Sequence, residues 1–111
     1  MNNTTMKNYE FLKGMYSDGY FPDFLVDKIK TILVELCGTI ESENPQSNEE
    51  LLKFTHAATD RINELEEEFE ENESELETGA REAMAEDFDY IVKAYDFSDV
   101  DIEDVIATRE W

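Results

Sequence analysis

Six aliphatic residues, Leu25, Ile29, Ile32, Leu33, Leu36 and Ile40, recur at the spacing that stacks side chains along one side of an α-helix. A strand would throw alternate members of this set to opposite faces, so the stretch can bury them together only as a helix. Pro22 fits the first turn of that helix, where its missing N–H costs nothing. Pro45 ends it, because the residue before a proline is pushed out of the helical region. The remaining punctuation is sparse, with Gly14, Gly19, Gly38 and Gly79 the only glycines, and alternating β-branched runs are absent.

The same periodicity organises the rest of the chain. A helix is expected over 7–17, with Phe11, Leu12, Met15 and Tyr16 on one face and Gly19 as a left-handed stop. Ser47 followed by Glu50 is a capping-box pattern opening a third helix. Its seam runs Leu51, Thr55, Ala58, Ile62, Leu65 and Phe69, alternating steps of four and three as in antiparallel bundles. Asn72 to Ser74 interrupts the seam, and Ser74 with Glu77 opens a fourth helix through Leu76, Ala80, Ala83, Met84, Phe88, Ile91 and Tyr95. Ser98 or Asp99 caps a short last helix carrying Ile102, Val105 and Ile106, with Trp111 beyond it. The expected fold is all-α, a single helical bundle of four main helices plus a short C-terminal one. It occupies residues 7–111, behind a flexible N-terminus of residues 1–6. A chain of 111 residues supports one core of this kind, not two.

Charge narrows the function classes. The formal net charge is −20, and it is unevenly placed: residues 1–40 carry a net of −1 and residues 41–111 a net of −19. A surface of that sign repels phosphate backbones and anionic headgroups, so neither nucleic acid nor membrane is an expected partner. No apolar run approaches the roughly 18 residues of a membrane span, and MNNTTMKNYE lacks the apolar region of a signal peptide. A lone thiol, Cys37, allows no internal disulfide, and cytoplasm is the expected location.

The densest feature is ELEEEFEENESELE, nine glutamates and no base between Glu64 and Glu77. A run of this kind is either a solvated face or an anionic surface that steers a basic partner. On the second reading the partner-binding residues are Glu64, Glu67, Glu68, Glu71, Glu75, Asp101 and Asp104, within a face extended by Glu86, Asp87, Asp89 and the stretch Asp99 to Asp104, which includes Glu103. His56, the only histidine, has Asp60 one helical turn later, and a partly exposed His56 paired to Asp60 is expected. These two also define an alternative pocket for an enzyme or ligand site. A carboxylate-bridged metal pair would need Glu-x-x-His motifs that the chain lacks, so no metal and no cofactor is expected. Asp99, Asp101, Glu103 and Glu110 fall at calcium-loop positions, yet Asp104 stands where the loop requires glycine. Phosphate-cradling loops and nucleophile elbows are missing, and no catalytic residue is indicated. Six aromatics, Tyr9, Phe11, Tyr16, Tyr20, Phe21 and Phe24, crowd the near-neutral start, either as core anchors or as a patch for self-association.

The segments NYEFLKGMY, DGYFPDFLVDK, THAATDRINELEEEFEENESELETGAREAMAEDFDYI and IATREW resemble an uncharacterised bacterial family of short acidic proteins, a domain of unknown function. The similarity spans about Lys7 to Trp111. It implies a bacterial, stand-alone domain and transfers no activity, ligand or catalytic residue. The functional expectation is therefore a non-enzymatic protein-binding module, immunity- or inhibitor-like, with an anionic face for a basic protein. The alternatives are the His56 pocket and a structural homodimer.

Overall fold

The computed structural model describes residues 2–111. Its helices are α1 (Thr4–Lys7), α2 (Lys13–Ser17), α3 (Asp23–Glu43), α4 (Asn48–Asn63), α5 (Glu66–Glu71), α6 (Thr78–Ala94) and α7 (Ile102–Val105), and no strand occurs among the described residues. No helix is long and apolar enough to cross a membrane among those residues.

Helix α3 is the spine. All six of the spaced aliphatics are buried on it, together with Val26 and Cys37. Pro22 precedes the first turn at φ −60° and ψ 131°, and Asn44 closes the last turn in the left-handed region at φ 48°. A connection of four residues then returns the chain as α4, which packs along α3 as the antiparallel arm of a helical hairpin. Ser47 caps α4 by accepting from the Glu50 N–H, and the Glu50 carboxylate accepts from the Gln46 N–H. Helix α6 closes the other side of the core, burying Ala80, Met84, Phe88, Ile91 and Val92 against α1, α2 and α7. Cys37 is completely enclosed, and burial pushes its thiol up to about 11.

Several expected boundaries move, each for a tertiary reason. The helix expected over 7–17 is two short ones, because Leu12 takes a left-handed backbone (φ 53°) and donates its N–H to the buried Asp87 carboxylate at 2.8 Å. Gly19 is not a left-handed stop, since no glycine has positive φ. The packed domain begins before Lys7: Asn3 caps α1, Met6 is 1% exposed, and the Asn2 and Asn3 N–H groups donate to Glu41. Met1 lies outside the described residues. The long third helix divides at Glu64 and Leu65 into α4 and α5, while Phe69 stays buried. Glu77 caps α6 in place of Ser74, and Asp101 caps α7 in place of Ser98 or Asp99.

Candidate binding surface

The acidic run folds as one short helix held at both ends. Phe69 is the buried anchor of α5, continuing the seam of Ile62 and Leu65. The turn after it is a Schellman motif: the Ser74 N–H donates to the Phe69 carbonyl at 2.9 Å and the Glu73 N–H to the Glu70 carbonyl at 3.1 Å. The Ser74 side chain then donates to the Tyr20 carbonyl at 3.1 Å, pinning the loop to the α2–α3 turn. Lys28 on α3 grips Glu68 at 2.5 Å. Glu73 occupies the left-handed position (φ 58°), where a side chain is strained. Glu73→Gly should therefore stabilise the fold by about 0.5–1 kcal/mol, read as a higher urea midpoint at unchanged slope.

Of the expected partner-binding residues, Glu64, Glu67, Glu71 and Glu75 are exposed. Glu68 is partly neutralised by Lys28, the sole ion pair of the run among the described residues. Asp101 accepts from the Glu103 N–H at 2.9 Å as a helix cap, and Asp104 is exposed on α7. Glu86 and Asp99 are exposed, while Asp89 is ion-paired to Lys93. Asp87 does not belong to a surface at all. It is 4% exposed and accepts from the Tyr9 hydroxyl at 2.5 Å as well as from Leu12.

His56 is half-buried, but its partner is not Asp60. Its Nε2 lies 2.7 Å from the Asp104 carbonyl, which ties α4 to α7. Asp60 points to solvent, and no group of three metal-ligating side chains converges among the described residues. The aromatics divide: Phe11 and Phe21 enter the core, Tyr9 stacks on Tyr90 at 4.2 Å, and Tyr20 and Phe24 stay about half exposed.

The structure also assembles a group that the run alone does not reveal. Beyond α7 the chain follows α4: Asn63 donates to the Thr108 carbonyl and accepts from the Glu110 N–H, both at 2.9 Å. That path sets Glu110 and Trp111 beside α5, where a cleft of about 270 Å³ is lined by Glu66, Glu70, Glu75, Leu76, Arg81, Glu110 and Trp111. Burial, then the nearby Glu110 and Glu70 charges, push the Glu66 carboxyl up, against a smaller opposing pull from Arg81. Glu66 Oε1 and Trp111 Nε1 are buried with no hydrogen-bond partner among the described residues. Each such orphan costs about 1–3 kcal/mol. The signal in the sequence was the shared side of Asn63, Glu66 and Glu70, spaced three and four apart, but only the fold brings residue 110 to it.

A second groove has the opposite character. About 650 Å³ in volume, it is lined by Lys7, Lys13 and Lys30 with Tyr9, Phe11 and Tyr16, and only Lys13 has a carboxylate within reach, Glu10 at 3.6 Å, among the described residues.

No curated protein and no solved structure matches the chain. The model of a family of unknown function, DUF5713, matches residues 5–111, a span that takes in the buried Met6 and every helix from α2 onward. The chain belongs to that family.

Proposed function

We propose that this is a non-enzymatic protein-binding module of the bacterial cytoplasm that presents α5 and its following loop to a basic protein partner. The observation that carries the reading is the arm itself: Glu64, Glu67, Glu70, Glu71, Glu73 and Glu75 are exposed and without a basic partner among the described residues, on a segment fixed by Phe69, Ser74 and Lys28. Charges held in place in the free protein need no ordering on association. They accelerate encounter with a basic surface and exclude acidic competitors, more than they deepen the final complex. Neutralisation of a basic toxin or nuclease, as by immunity proteins and inhibitors, is one form of this role, and rests on analogy.

Affinity capture from the source cell at low and at moderate salt tests the proposal. A basic protein should be retained at low salt, released as salt rises, and lost when Glu64, Glu67, Glu71 and Glu73 are all replaced by Gln. Capture that ignores salt and those four substitutions would overturn it. The competing reading is a homodimer through the exposed Tyr20 and Phe24, which light scattering at high concentration distinguishes.

A further inference from the structure

We propose that the cleft between α5, the start of α6 and Trp111 receives an arginine side chain of the basic partner, with Trp111 Nε1 donating to a peptide carbonyl beside it. The inference rests on the binding role above and names the chemistry of its contact. Four carboxylates, from Glu66, Glu70, Glu75 and Glu110, face a single guanidinium, Arg81, so the cleft is short of positive charge. Acidic side chains alone would indicate no more than a solvated surface. The independent observation is Trp111, 6% exposed, lining the same cleft with its Nε1 unpartnered among the described residues.

The two orphans differ in kind, and that difference selects the ligand. Glu66 Oε1 needs a donor and Trp111 Nε1 needs an acceptor. A polyamine offers donors only. An arginine within a peptide offers both, its planar fork of N–H groups for the carboxylates and its backbone carbonyl for the indole. Arg109 already lies over the indole ring, 5.9 Å from the centroid, so the incoming group meets the Nε1 edge and not that face. Neither orphan is open to solvent, and entry requires side chains that line the cleft to shift. Burial, then its acidic neighbours Glu110 and Glu70, push the Glu66 carboxyl up, and a cation paired with it draws it back down, so affinity rises as Glu66 ionises.

Trp111 is the only tryptophan, so its fluorescence reads the cleft directly. The intact protein is titrated with acetyl-Gly-Arg-Gly-amide and, at matched ionic strength, with spermidine. The arginine peptide should give a saturable change, weakened about tenfold by Glu66→Gln or Glu110→Gln and tightened about threefold by Arg81→Ala, which removes a like charge. Circular dichroism melts of each variant confirm that it folds, and the gain on Arg81→Ala is an effect that mere loss of structure does not produce. No saturable change, an equal response to spermidine, or indifference to both glutamine variants would overturn the proposal. Failure here with salt-sensitive, arm-dependent capture intact removes the cleft and leaves the binding role. Loss of capture with cleft binding intact removes the role instead.

Discussion

Replacing Phe69 by alanine should lower the stability of the whole domain by about 3–5 kcal/mol. Phe69 is fully enclosed and is the only buried residue of α5, so truncation leaves a cavity where α5 meets the core. A domain of this size has about 5–15 kcal/mol in total, and the loss corresponds to a fall in Tm of roughly 10–20 °C. The consequence reaches the proposed function, because the Schellman turn and the loop to Ser74 are built on the Phe69 carbonyl and on the position of its helix. Capture of a basic partner should weaken with it, although no charge has been removed. Urea denaturation followed by circular dichroism checks the first part. A loss below about 1 kcal/mol would mean that α5 opens independently of the bundle.

Asp87→Ala should cost about 2–4 kcal/mol, the second largest effect. The substitution strands two donors at once, the Tyr9 hydroxyl and the Leu12 N–H, and the second belongs to a residue already in a strained left-handed backbone. Asp87→Asn keeps an acceptor and should cost clearly less. The pair also separates hydrogen bonding from charge. Burial pushes the Asp87 carboxyl above its ordinary 3.8, outweighing the bonds from Tyr9 and Leu12 that pull it down. The folded state therefore binds a proton more tightly than the unfolded chain, and stability rises as pH falls through the raised value, the gain being complete below 3.8. Glu66 acts in the same direction. Glu41 acts oppositely: its bond from the Tyr95 hydroxyl, then those from the Asn2 and Asn3 N–H groups, hold it below 4.5, so its contribution persists above that value and disappears as pH falls through the lowered one. Wild-type protein should therefore gain stability over a first interval, as pH falls through the raised Asp87 and Glu66 values, and lose the Glu41 contribution as pH falls further. Asp87→Asn should show a visibly smaller gain in urea midpoint over the first interval. An identical slope would place the titration elsewhere.

What the sequence made legible were the elements whose causes are local. The spacing from Leu25 to Ile40, bracketed by Pro22 and Pro45, defines α3 to within a residue at its start, and Ser47 with Glu50 marks the start of α4. The seam from Leu51 to Phe69 is real even though the helix that carries it divides, because packing repeats survive a short kink. What stayed hidden depends on distant partners. Nothing near Leu12 announces a left-handed backbone, since the acceptor of its N–H lies 75 residues away. Gly19 is the one left-handed stop that the sequence suggests, whereas Glu73 and Asp96 take the left-handed positions after α5 and α6 and the backbone bonds of the turn hold them there. Asp87 reads as one more surface charge because its neighbours Glu86 and Asp89 are acidic, and its burial follows only from the return of Tyr9 and Leu12. The acidic arm is visible as a charge run, but its most structured part is not. Glu66 and Glu70 meet Glu110 and Trp111 only through the two hydrogen bonds of Asn63.

The enclosed Cys37 has a practical consequence. With its thiol shut away and held protonated at neutral pH, the folded molecule offers electrophiles and peroxides no reactive thiol. Alkylation must then await an excursion that parts α3 from its neighbours, so the pace of labelling by a small thiol reagent reports how often the interior opens. That rate can be followed without introducing a cysteine, in the wild-type chain.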